Sequence, residues 1–139
     1  MAARVFLVED NPLVGKCFTA TLEDQGSIVV GHARDEESAS AWLQEHPDDW
    51  DVMVLDLFLV HGSGLGVLRR LAGKTAAQKI FIASNYITAE MRKQCHALGA
   101  NGVFNKLTQT DELVSLLALL SRSAPRYRRR QHVLDHVPV

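Results

Sequence analysis

The chain has 139 residues, enough for one domain with a real core, and its 47% hydrophobic and 22% charged content is ordinary for a globular protein. A net charge of −1 excludes a global pull toward nucleic acid or membrane, no apolar run reaches membrane-spanning length, and the N-terminus lacks a signal-peptide layout. The charge is unevenly placed: residues 122–139 carry five arginines and one aspartate, +4, against −5 over the other 121. Along the chain, apolar runs alternate with helical patterns. Arg4–Val8 reads as a strand, and Asn11 with Pro12 makes an N-cap and first turn. Leu13, Val14, Cys17, Phe18 and Leu22 then repeat at helical spacing, with Gly26 as the stop. Ser27–His32 is a second strand. Asp35 opens a helix with Ala39, Trp42 and Leu43 on one face, ended by Pro47. Asp51–Leu55 is the third strand, and Ser63 precedes a helix through Leu65, Leu68 and Leu71, closed by Gly73. Lys79–Ala83 is the fourth strand; Thr88 caps a helix carrying Met91, Cys95 and Leu98, with Gly99 at its end. Gly102–Asn105 is the fifth strand, and Thr110, Asp111 and Glu112 open a last helix through Leu113, Leu116, Leu117 and Leu120.

This is an α/β pattern, (βα)5, and such alternation implies a doubly wound parallel sheet with helices on both faces. The strand order 2-1-3-4-5 is borrowed from the flavodoxin-like arrangement, one of the common solutions for this alternation. The receptive edge of such a sheet lies outside the carboxyl ends of the strands. There the first strand supplies Glu9 and Asp10, the third Asp56, the fourth Ser84 and the fifth Lys106. Asp56 ends the most apolar run of the chain, where a carboxylate is either paired, needed for chemistry, or merely a turn cap. Two carboxylates about 5 Å apart repel by roughly 3 kcal/mol at an effective dielectric near 20. Three acids therefore need a divalent cation, the Lys106 ammonium, or protonation of one of them. Oxygen-only ligands suit Mg²⁺, which takes one or two carboxylates, phosphate oxygens and water.

"FLVEDNPL", "VMVLDL", "FIASN" and "GANGVFNK" together resemble the receiver domain of two-component response regulators, and the resemblance covers roughly Arg4 to Ser121. The resemblance implies a domain over residues 1–122 and a function in phosphorelay signal transduction. Asp56 would accept a phosphoryl group from a histidine kinase or phosphotransfer protein. Glu9 and Asp10 match the acid pair that holds Mg²⁺ with Asp56 and the backbone carbonyl of Phe58; Ser84 and Lys106 match the hydroxyl and lysine that hold the phosphate. It implies no enzyme in the metabolic sense, only Mg²⁺-dependent phosphorylation and dephosphorylation of the domain itself. The alternative of another class is a receiver-like interaction module that is never phosphorylated.

The chain departs from the family pattern at three places. Leu107 follows the lysine where proline is usual, Val60 stands where a proline often follows the acceptor by four, and Val103 replaces the aromatic three residues before the lysine. Phe104 points to the other face of its strand, so the usual aromatic readout has no side chain here. Phe58 and Tyr86 place bulky groups two residues beyond the acceptor and the hydroxyl.

Other motifs carry less. "HGSGLG" (61–66) lacks the first glycine of G-x-S-x-G and the spacing of G-x-G-x-x-G, and reads as a turn with a serine cap. Cys95 and His96 are adjacent, so a helix turns them apart, and Cys95 falls on the apolar stripe. A flavin phosphate would meet two carboxylates after the first strand, not backbone amides. Residues 123–139 form a basic tail, expected to be flexible, with nucleic-acid binding the weaker reading. The eighteen residues 122–139 cannot build a helix-turn-helix output domain, so a stand-alone, cytoplasmic receiver is expected. Cys17 and Cys95, 78 positions apart without a CxxC, fit reduced thiols. The expected partners are the kinase and a downstream protein target of unknown identity, with a homodimer left open and no membrane contact.

Overall fold

The computed structural model describes residues 2–71 and 73–122; the basic tail lies outside the described residues. Five strands and five helices alternate: β1 Arg4–Val8, α1 Pro12–Asp24, β2 Ile28–Ala33, α2 Glu36–Glu45, β3 Val52–Leu55, α3 Gly64–Arg70, β4 Lys79–Ser84, α4 Ala89–Ala97, β5 Gly102–Asn105 and α5 Thr110–Arg122. All strand pairs are parallel and the order is β2-β1-β3-β4-β5, the flavodoxin-like arrangement. No helix among the described residues is long and apolar enough to cross a membrane.

Strand residues alternate between two cores, as their period of two requires. On one face Phe6, Met53, Leu55, Ile80, Ile82 and Val103 meet Leu43, Val67 and Cys95 from α2, α3 and α4. On the other, Val5, Leu7, Val54 and Phe81 meet Leu22 of α1 with Leu113 and Leu117 of α5. Burial pushes the Cys95 thiol up, as expected of an inert core cysteine. The helix starts are capped as their sequences indicate: Asn11 accepts from the N–H groups of Leu13 and Val14, Asp35 from Ser38, Ser63 from Gly66, and Thr88 from Met91.

Strand ends move by one residue where a side chain has another partner. Ser27 belongs to the exit turn of α1, since its N–H donates to the Leu22 carbonyl and its hydroxyl pairs with Ser121. Asp51 lies before β3, where its carboxylate accepts from the Arg4 backbone and guanidinium. β4 extends through Ser84.

The inner face of α1 differs from the apolar repeat. Leu13 is 69% exposed, and Val14 and Cys17 are exposed too, whereas Gly15 and Leu22 are buried. A face through Gly15, Phe18 and Leu22 still follows helical spacing, but its first member has no side chain and gives no hydrophobic signal. The site of Gly15 is filled by the ring of His32, reaching in from β2.

Candidate functional site

The carboxyl ends of β1, β3, β4 and β5 converge on one cleft of about 230 Å³, lined by Glu9, Asp10, Asp56, Phe58, Ser84 and Lys106 among others. Each residue is delivered there by its strand: Glu9 and Asp10 follow β1, Asp56 follows β3, Ser84 ends β4 and Lys106 follows β5. All the residues singled out in the sequence therefore meet. One oxygen from each of Glu9, Asp10 and Asp56 lies within 4.8 Å of the others.

The electrostatics are those of a partly compensated acid cluster. Lys106 Nζ donates to Asp56 Oδ2 at 2.8 Å and to Glu9 Oε1, so one ammonium bridges two acids. Burial works against its charge, but the hydrogen bonds to Asp56 and Glu9 prevail and hold the ammonium above the ordinary lysine range. Backbone donors take up the other carboxylate oxygens: Phe58 N–H gives to Asp56 Oδ1 (3.1 Å), Val60 N–H to Asp10 Oδ2 (3.0 Å) and Asn11 N–H to Glu9 Oε2 (3.1 Å). Three carboxylates and one ammonium leave the cleft with a net charge of −2 in a setting where Glu9 and Asp56 are 4% and 8% exposed. Such a site favours a divalent cation.

Ser84 is the exception to this satisfied network. It is fully buried and its Oγ has no hydrogen-bond partner. A buried hydroxyl without a partner carries a desolvation cost of about 1–3 kcal/mol that an incoming acceptor or donor would relieve. The residues thus fit both parts of a metal–phosphoryl ligand. A hard cation suits the carboxylates, and an anionic oxygen suits Lys106 and Ser84.

The departures from the family pattern have local explanations. Leu107 donates its N–H to Asn105 Oδ1 at 2.7 Å, closing an Asx turn that proline, lacking that donor, cannot make. Lys106 is fixed independently, through its N–H to the Ser84 carbonyl and its own carbonyl accepting from Thr110 Oγ1. Val60 N–H holds Asp10, again a bond closed to proline. Val103 is buried in the α2–α4 core, while Phe104 lies on the other face, edge-on to Phe81. The exposed rings of Phe58 and Tyr86 stand 6.3 Å apart beside the cleft mouth. In "HGSGLG", Ser63 is the α3 cap and Gly64 packs against the Asp56 carbonyl, where a Cβ would collide. Cys95 and His96 diverge, the latter donating from Nδ1 to the Ala100 carbonyl.

The response regulator receiver domain family matches residues 5–118. The chain belongs to that family. It is 31% identical over 114 residues to the response regulator UvrY of Escherichia coli, covering 81% of this chain and 51% of that protein. It is 32% identical over 128 residues to the sensor histidine kinase AruS of Pseudomonas aeruginosa, covering 89% of this chain and 12% of the kinase. Among solved structures, a two-component response regulator of the LuxR family from an Aurantimonas species aligns with a TM-score of 0.75 at 28% identity, over 86% of each chain. This receiver domain spans about half the length of the curated response regulators it matches. It is a signalling domain of two-component systems, a class that works through histidine kinases and downstream targets and carries an acidic pocket for Mg²⁺.

Four contributors to the site were not legible in the sequence: the N–H groups of Asn11 and Val60, and the side chains of His32 in β2 and of Arg34 just after it, which hold the main chain of the acid pair. Backbone donors leave no trace in side-chain identity. His32 left one, a histidine at the end of an edge strand beside a helix glycine.

Proposed function

We propose that Asp56 accepts a phosphoryl group from a phosphohistidine of a histidine kinase or phosphotransfer protein. Ser84 and Lys106 hold the transferred oxygens, and Glu9, Asp10, Asp56 and the Phe58 carbonyl hold Mg²⁺. A carboxylate oxygen of Asp56 forms the new P–O bond as the P–N bond to the donor imidazole breaks, its electron pair returning to the ring nitrogen. Phosphoryl transfer asks the protein mainly for positioning and charge neutralisation. Mg²⁺, when bound, supplies positive charge to the transferred oxygens. Asp56 is held for attack by the Phe58 N–H on one oxygen and Lys106 on the other, and each oxygen keeps a second lone pair. Lys106 is already charged and can pass from the carboxylates to a phosphoryl oxygen.

What supports this reading above all is the orphaned hydroxyl of Ser84 in a cleft otherwise lined by three acids and an ammonium. Phe58 and Tyr86 cover the approach to the acyl phosphate and would slow its hydrolysis by restricting water. The domain is proposed to occupy residues 1–122 and to act in the cytoplasm on a protein target. Acetyl phosphate with Mg²⁺ should add one phosphoryl group by intact mass, and Asp56→Asn should add none. Labelling that survives in the variant sinks the assignment.

A further inference from the structure

The peptide that carries the acid pair is held from behind by the end of the edge strand β2. Glu9 N–H donates to the Ala33 carbonyl (3.0 Å), and the Glu9 carbonyl lies 2.9 Å from His32 Nε2. A carbonyl only accepts, so the imidazole donates through Nε2–H. One residue on, the Asp10 carbonyl accepts from Arg34 Nε at 3.3 Å. To reach Glu9 the His32 ring must pass under the first turn of α1. It does so at Gly15, where an added Cβ would collide with ring carbon Cε1 and lie 2.8 Å from Nε2 itself. Gly15 sits inside a helix with φ outside the left-handed region, so no backbone conformation asks for glycine there. A helix-interior glycine is unfavourable relative to alanine. The space it leaves for His32 is the compensating use.

We propose that His32 is a positioning residue for the metal-binding acids: through the Glu9 carbonyl it fixes the peptide from which both Glu9 and Asp10 project, and Gly15 exists to admit its ring. The proposal rests on the Mg²⁺ reading of the cleft given above. His32 touches no ligand itself. It acts as outer partners of metal ligands generally do, by removing freedom from groups that must converge within a few tenths of an ångström. His32 in β2 and Arg34 just after it both act on main-chain carbonyls, which leaves the carboxylates free to face the cation.

The experiment measures Mg²⁺ affinity by titrating backbone amide shifts of residues 9–11 and 56–58, alongside the melting temperature of each metal-free variant. His32→Ala should weaken Mg²⁺ binding about tenfold, the lower end of what loss of an outer partner costs a metal site. Gly15→Ala should weaken it similarly by displacing the ring, and should add nothing to the loss in the His32→Ala background. His32→Gln, which retains a side-chain N–H donor, should recover most of the affinity. In the wild-type background Gly15→Ala should lower the melting temperature, whereas beside His32→Ala, with the ring gone, it should raise it. Val29→Ala, on the same strand but remote from the acid peptide, should lower stability and leave Mg²⁺ affinity alone. Binding within twofold of wild type in both His32→Ala and Gly15→Ala overturns the proposal while leaving the Mg²⁺ reading intact; so does an equal loss in Val29→Ala. Failure of the wild-type protein to bind Mg²⁺ overturns both.

Discussion

Replacing Asp56 by asparagine removes one negative charge from the cleft and leaves its shape nearly unchanged, which makes the metal-free stability of that variant a direct reading of the site's electrostatics. Asp56 faces Glu9 and Asp10 with oxygens within 4.8 Å, about 3.5 kcal/mol of repulsion per pair at an effective dielectric of 20. Against this stands the 2.8 Å pair with Lys106, about 6 kcal/mol of attraction on the same scale. Asp10 is the more solvated acid, so its share is screened and the charge terms cancel to within about 1 kcal/mol. Desolvation then decides the sign. A carboxylate only 8% exposed loses several kcal/mol of hydration, which an amide largely avoids. The variant also keeps the Phe58 N–H bond through its amide oxygen, and Lys106 keeps Glu9. Asp56→Asn should therefore stabilise the metal-free protein by about 1–2 kcal/mol, some 3–6 °C in Tm for a domain of this size. Mg²⁺ at ten times its Kd should add about 1.4 kcal/mol to the wild type and much less to the variant. Thermal unfolding followed by circular dichroism, with chelator and then with Mg²⁺, measures both. A lower metal-free Tm in Asp56→Asn, or equal Mg²⁺ shifts in the two proteins, would contradict this account of the cleft.

Ser84→Ala should raise metal-free stability by about 1 kcal/mol, because it deletes a buried unpartnered hydroxyl, while slowing phosphorylation by acetyl phosphate; denaturant melts and mass spectrometry read the two effects separately. Lys106→Met should cost about 3 kcal/mol at pH 7, since Glu9 and Asp56 lose their shared cation. The Lys106 pKa is raised in the fold, so its contribution is fully present below the ordinary 10.5 and lost as pH climbs through the higher folded value. The stability gap between wild type and Lys106→Met should accordingly stay flat from pH 7 to about 10 and narrow above, by urea melts across that range. With Val103 buried and too short to swing, phosphorylation should move the loop after β4, α4 and the exposed Tyr86; crystal structures with and without a phosphate mimic that superpose at Tyr86 and α4 would contradict this.

Periodicity and punctuation along the chain were enough for the ten elements, their succession and the parallel sheet, whereas the strand order was borrowed from the flavodoxin-like arrangement. Runs such as Val52–Leu55 have only one comfortable setting, buried on both faces, and caps such as Asn11, Ser63 and Thr88 mark where helices begin. Because every parallel strand ends on the same edge, the convergence of Glu9, Asp10, Asp56, Ser84 and Lys106 also followed from the pattern. The rest depended on the fold: it lies in contacts between residues distant in sequence and in groups that every residue shares. The division of Lys106 between Glu9 and Asp56, the hold of Val60 N–H on Asp10, and the orphaned Ser84 hydroxyl are of this kind. The inward face of α1 is another: a glycine contributes nothing to a hydrophobic repeat, so the place of Gly15 against the sheet was visible only with the His32 ring already in it. Local propensity is written along the chain, but the partner of a polar group is chosen by the fold, where burial makes each unmet donor or acceptor costly.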